Sequence, residues 1–123
     1  MRKFVSFLVL WAIFLPSFSI LASFNTGTAK EYLLAHANNP WSTMALATLG
    51  ASSIPSDYLK SVSGSTSIEY AAPILAITSL DQDPRSFGNK DYVAELKKYF
   101  INGQIGDIAN INDDIFGLLA FVS

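Results

Sequence analysis

Segments that are apolar on nearly every side alternate along this chain with segments that are apolar on one side only. The two-faced segments lie at about residues 28–37, 55–62 and 90–101, and the apolar ones follow each of them. A helix that is apolar on every face must be covered on every face, whereas a two-faced helix needs cover on one side. The alternation is typical of helical hairpins with an inner and an outer layer. We therefore predict an all-α fold of about three helical hairpins.

Two capping boxes indicate where helices begin. Thr28 with Glu31 forms the first box, and Thr66 with Glu69 forms the second. In such a box, the threonine hydroxyl accepts from the glutamate amide and the glutamate carboxylate accepts from the threonine amide. Pro73 falls inside the second helix, where it removes a hydrogen bond. The helix is therefore expected either to kink at Pro73 or to begin near residue 72.

The other helix boundaries rest on Asn, Pro and Gly. Asn39 is suited to cap the second helix with Pro40 in its first turn, and Gly50 is suited to a left-handed C-terminal position. Asn112 or Asp113 is expected to cap the last helix, since both precede its apolar run.

Residues 90–101 have the clearest amphipathic pattern. Asn102-Gly103 is expected to end this helix, and no Asn-Gly hairpin between alternating segments is expected. The predicted apolar face comprises Val93, Leu96, Tyr99 and Phe100.

The first 23 residues differ in kind from the remainder. Arg2 and Lys3 precede an apolar stretch over residues 4–15, which Pro16 and several small residues follow. This order is typical of a secretory signal peptide. The alternative is an uncleaved membrane anchor, because no charge occurs between Lys3 and Lys30. Either way, residues 24–123 are expected to be secreted or at the extracellular surface, with membrane attachment only through this segment.

Composition excludes several kinds of site. Eight basic residues against ten acidic ones argue against a nucleic-acid partner, which requires a basic face. The absence of cysteine excludes a thiolate nucleophile, a thiolate-bound metal and a disulfide scaffold. A single histidine excludes a site built from two. No cofactor and no metal are expected.

Several stretches resemble a known family. Residues 72–85, APILAITSLDQDPR, resemble the inner helix and following "LGxDPR" loop of secreted bacterial prenyltransferase/squalene-cyclase-like repeat proteins. Residues 102–107 look like that family's "DGSFG" loop, and residues 111–120 look like its next inner helix. Residues 32–34 with 41–47 resemble an earlier hairpin.

The resemblance implies an α/α toroid of about six hairpins, of which residues 24–123 would supply about three as an N-terminal partial domain. The expected partners are then the remaining half of the toroid or an apolar small molecule. Self-association through exposed inner helices is also expected, because a half-ring leaves an apolar edge uncovered.

The superfamily includes terpene cyclases and protein prenyltransferases, so the fold does not settle the function. Terpene cyclases use a DxDD cluster, but residues 81–84 read Asp-Gln-Asp-Pro. No complete catalytic or metal-binding constellation occurs, which favours an exported non-catalytic module of a larger ligand-binding or surface protein. The alternatives are a remnant of an isoprenoid-processing enzyme and a helical-repeat scaffold for protein contacts.

Three residues are candidates for ligand binding. Trp41, at the start of an inner helix, is placed to line a cavity mouth, although a packing role is the simpler interpretation. Asp113 and Asp114 begin the last helix, where they could face a ligand or simply cap free amides.

Overall fold

The structure is a computed structural model that describes residues 25–123, so the predicted signal segment lies outside the described residues. Of these described residues, 58% are in helices and 4% in strands, which confirms the predicted helical class. The α-helices are α1 Thr26–Ala35, α2 Pro40–Thr48, α3 Ile68–Ser79, α4 Tyr92–Lys97 and α5 Ile111–Val122. The described residues also form two 3₁₀ helices, Asp57–Ser61 and Phe87–Asn89, and two short strands, β1 Phe100–Ile101 and β2 Gln104–Ile105.

The central element is α3, which packs against α2, α4 and α5. Seven of its twelve residues are buried, including Ile74 and Ile77, which are completely inaccessible. The predicted inner segments α2, α3 and α5 thus lie side by side with α3 in the middle. The two-faced helices lie outside them, with α1 on α2 and α4 on α3 and α5.

Proline is accommodated inside the central helix. α3 runs from Ile68 to Ser79 with Pro73 within it, so the expectation that the helix begins near residue 72 is wrong. The Pro73 ring is almost fully buried. Because Pro73 has no amide, it cannot supply the donor that the Glu69 carbonyl would ordinarily receive within the helix.

The Asn and Gly signals around α2 are confirmed. Asn39 Oδ1 accepts from the Ser42 amide at 3.0 Å, and Pro40 occupies the first turn. Gly50 follows the helix with a φ of 63°. These signals act through neighbours within a few residues, so the sequence is sufficient to predict them.

The Thr28 capping box does not form. Asn25 caps α1 instead, accepting from the Thr28 amide at 3.1 Å, so the helix begins earlier than predicted. Asparagine is the stronger of the two caps, which accounts for the shift. The predicted short helix at residues 55–62 is a 3₁₀ helix, Asp57–Ser61, which nevertheless buries Leu59 in the core.

The second capping box forms in part. Glu69 Oε2 accepts from the amides of Ser65 and Thr66, at 2.6 and 3.0 Å. The Thr66 hydroxyl also donates to this carboxylate, at 3.1 Å, and so does not cap an amide of α3.

The Glu69 carboxylate should make stability depend on pH. Its pKa is lowered from the ordinary value of 4.5 by the Ser65 amide and then by the hydroxyl and amide of Thr66. A group whose pKa is lowered by folding contributes stability above its unfolded pKa and loses it as the pH falls through the folded pKa. We therefore expect the free energy of unfolding to decrease as the pH falls below 4.5. Glu69→Gln should flatten this decrease in urea titrations at a series of pH values; parallel curves for the two proteins would contradict it.

The segment after α4 is a β-hairpin, which corrects two predictions. The helix expected over residues 90–101 ends at Lys97, and β1 pairs antiparallel with β2. Asn102 and Gly103 have φ values of 53° and 84°, the left-handed pair that a two-residue type I′ turn requires. The expectation of no Asn-Gly hairpin is therefore wrong. Val93 and Leu96 are buried as predicted, but Phe100 is 57% exposed because it lies on the hairpin.

Candidate functional site

Trp41 lies at the N-terminal end of α2 and contacts α5. Its ring meets that of Phe116 edge-on, with centroids 5.1 Å apart and planes at 68°. This is a favoured geometry for an aromatic pair. About half of the Trp41 side chain stays exposed. Trp41 therefore combines the packing role with a surface that a ligand can reach.

An open cleft of about 350 Å³ lies beside Trp41, between the N-terminal ends of α2 and α3. Its walls are mainly apolar, and its opposite side includes Pro73 and the ring of Tyr58. The lining residues are Asn38, Pro40, Trp41, Tyr58, Val62, Ser63, Ile68, Glu69, Ala72 and Pro73. We call this space the Trp41 cleft. Trp41 thus lines this cleft from the first turn of α2, and its role in ligand binding stays a prediction.

Two polar groups of the Trp41 cleft are already engaged. The Tyr58 hydroxyl and Thr43 Oγ1 are 2.6 Å apart, and burial raises the pKa of Tyr58, so the phenol stays protonated near neutral pH. The Glu69 carboxylate is hydrogen-bonded to the preceding loop. The cleft is therefore suited to an apolar molecule rather than to acid–base chemistry.

Asp113 and Asp114 hold the chain that precedes α5. Asp113 Oδ2 accepts from the Asp107 amide at 3.0 Å, and its Oδ1 accepts from Asn110 Nδ2 at 2.9 Å. Asp114 Oδ1 accepts from the Ile105 amide of β2 at 2.8 Å. Asp113 thus accepts hydrogen bonds from the loop, and Asp114 accepts one from β2. The helix cap is Asn110 rather than Asn112 or Asp113, because Asn110 Oδ1 accepts from the Asn112 amide.

Within residues 25–123, the three candidates do not share the Trp41 cleft. Neither Asp113 nor Asp114 lines the Trp41 cleft. Asp113 is 94% buried under the loop, with only 6% of its surface accessible. The geometry favours a structural role for the two carboxylates and leaves Trp41 as the candidate that a ligand can reach.

Sequence reasoning missed a tight junction between this loop and α3. Gly106, at a φ of 75°, lies against Asp113 and the hydroxyl of Ser67. Ser67 Oγ is buried and has no hydrogen-bond partner among the described residues. The only local signal in the sequence was Gly106 itself, since glycine is the residue that adopts a positive φ without strain. Ser67 lies far from Gly106 along the chain, so their contact has no local signal.

Residues 25–123 contain neither a group of metal-ligand side chains nor a membrane-spanning helix. In this range, no three acidic or histidine side chains lie close enough together to hold a metal ion. His36 stacks on Tyr32, and its Nδ1 lies 2.7 Å from the Tyr32 carbonyl oxygen. In the same range, no helix combines the length and the apolar character needed to cross a bilayer.

Searches of protein families, curated proteins and solved structures found no significant match to this chain.

Proposed function

We propose that this chain is an exported, non-catalytic helical repeat module of the α/α-toroid kind, acting within a larger ligand-binding or surface protein. The arrangement of α2, α3 and α5 as adjacent apolar helices, with two-faced helices outside them, supports the array. The engagement of Asp113 by a loop amide and of Asp114 by the Ile105 amide of β2 supports a role that is not catalytic.

The observation that carries the proposal is an apolar face on α5 that no other element of residues 25–123 covers. Ile111, Ile115, Leu118 and Val122 are 71, 47, 61 and 73% exposed. We call these four residues the α5 stripe. Their spacing of four, three and four residues places them along one side of the helix. A contiguous apolar face of this kind marks an interaction surface in a soluble protein.

The chemistry of the α5 stripe favours another helix as its occupant. The stripe residues are all aliphatic, so their side chains have no group that could pair with a charged ligand. In a helical repeat array, each inner helix is covered by the next hairpin. We therefore propose that further hairpins of the same array cover the stripe, and that a second copy of this chain covers it when they are absent.

The spacing also suits a second copy. Since four–three–four reads the same in both directions, two antiparallel α5 helices would place Ile111 opposite Val122 and Ile115 opposite Leu118. Such a two-fold arrangement is the commonest in homo-oligomers. With neighbouring Ile108 and Leu119, the face offers on the order of 600 Å² per chain, which reaches the lower limit for a stable interface.

Self-association of the full chain tests the proposal. Analytical ultracentrifugation should show a reversible dimer at micromolar concentration. Replacing Ile115 and Leu118 with Glu should weaken the association at least tenfold, because four charges would be desolvated at the interface. The far-UV circular dichroism should be unchanged, since both side chains are already half-exposed.

The matched control is Ile101→Glu, on the hairpin, where the native side chain is 63% exposed. It should leave the association unchanged. A wild-type chain that stays monomeric throughout, or an equal effect of the stripe and control variants, would refute the docking role of α5. Reading the coding sequence beyond Ser123 tests the larger array, because further alternating hairpins are required there.

A further inference from the structure

The basic residues of the described chain divide into two groups. Residues 25–123 contain six of them. Four donate to protein acceptors: Lys30 to the Gly50 carbonyl, Lys60 to Asp57, Lys90 to the Val62 carbonyl and Lys98 to Glu95. Arg85 and Lys97 have no side-chain hydrogen bond or ion pair with any residue in that range. These two cations are therefore the ones left for an external anion.

Arg85 and Lys97 line the same cleft. Its volume is about 630 Å³, and the remaining lining residues are Val93, Phe100 and Phe121. We call it the basic cleft. Arg85 comes from the loop before α4, Lys97 from the end of α4, and Phe121 from the last turn of α5. The volume falls within the range of small-molecule sites, roughly 300–1,000 Å³.

The apolar part of the basic cleft is accessible. Phe100 is 57% exposed, whereas Phe121 is half-buried and Val93 forms part of the core. An apolar surface flanked by two free cations complements a molecule with an anionic head and an apolar body. Two carboxylates on the flanking segments are already engaged, because Glu95 is paired with Lys98 and Asp83 Oδ1 accepts from the Arg85 amide at 2.9 Å.

We propose that the basic cleft binds an amphipathic carboxylate, with the head between Arg85 and Lys97 and the acyl or aryl body against Phe100 and Phe121. Arginine favours this partner because its planar guanidinium donates two parallel hydrogen bonds to a carboxylate. The proposal stands apart from the function proposed above, because the cleft does not include the α5 stripe.

Isothermal titration of the full chain with sodium dodecanoate, below the concentration at which it forms micelles, tests the proposal. We expect one molecule per chain with a Kd on the order of 10 µM. Dodecan-1-ol, which has the same chain without the charge, should bind at least tenfold more weakly. Benzoate and a phosphorylated alkyl chain distinguish an acyl site from an aryl or phosphate site.

The chain offers neighbouring controls for both halves of the site. Lys97→Gln should weaken dodecanoate binding several-fold, while Lys98→Gln should not, because Lys98 is paired with Glu95 and does not line the cleft. Phe100→Ala should weaken binding of the acyl chain, while Ile101→Ala on the same strand should not. The replaced side chains are all exposed, so the fold should persist.

Three results would overturn the proposal. They are an absence of dodecanoate binding at millimolar concentration, equal losses in the Lys97 and Lys98 variants, and equal affinity for dodecanoate and dodecan-1-ol. Equal losses would mean that binding follows overall charge. If the first of these results came with tight binding of an acidic peptide, it would point to a protein partner instead.

Discussion

Gly106→Ala is expected to lower the free energy of unfolding by about 3 kcal/mol or more. A Cβ at this position would overlap Asp113 Oδ2 and Ser67 Oγ, both of which are buried. The Asp113 side chain cannot move away without breaking its hydrogen bonds to the Asp107 amide and the Asn110 side chain. The φ of 75° adds backbone strain to the overlap.

The control for this prediction is Gly103→Ala in the hairpin turn. Gly103 has a similar φ of 84°, but a Cβ there would meet no atom within 4 Å. Gly103→Ala should therefore lower the free energy of unfolding only by the backbone strain, about 1–2 kcal/mol. Urea unfolding followed by circular dichroism measures both variants. If the two variants lost equal free energy of unfolding, the close packing of Gly106 against Asp113 and Ser67 would not contribute to stability.

Ile74→Ala should be the second highly destabilising change. Ile74 is inaccessible to solvent at the centre of α3, the helix against which α2, α4 and α5 all pack. Truncation leaves a cavity that three neighbouring helices cannot all close, and such changes cost about 2–5 kcal/mol.

Ile101→Ala provides the control with the same chemical change. Ile101 is 63% exposed, so its truncation should change stability by about 0.5 kcal/mol or less. Both variants are compared with the wild type by urea unfolding at one protein concentration, so that association does not alter the comparison. A small loss for Ile74→Ala would mean that α3 is not the centre of the core.

The parts of the fold that sequence predicts well depend on local chemistry. The start of α2 follows from Asn39 and Pro40, and its end follows from Gly50, since each acts within one helical turn. The adjacency of α2, α3 and α5 follows from their apolar character, because such helices need cover on several sides.

The hairpin was missed because its strands are only two residues long. Such strands are too short to show the alternation that marks a strand, and Phe100 also fits the helical spacing of Val93 and Leu96. Asn102-Gly103 carried the correct signal, since this dipeptide favours a type I′ turn. It was interpreted as a helix end because the preceding pattern was helical.

The candidate site was predicted less completely than the fold. The position of Trp41 at an inner helix end was recoverable from its place beside Pro40. The partners of Asp113 and Asp114 lie in the loop and in β2, so they depend on how the loop turns back. The meeting of Gly106 with Ser67 joins distant parts of the chain, and a single sequence contains no signal for it.

The first helix is attached differently from the others. None of the side chains of α1 is buried, and its main contact within residues 25–123 is with α2, where Lys30 also donates to the Gly50 carbonyl at 3.0 Å. An element with no buried side chain can open without exposing the core. Asn25, the first residue that the structure describes, is therefore joined to the domain through its most weakly attached helix. A mechanical load applied there would peel α1 away first and leave the packed helices around α3 intact.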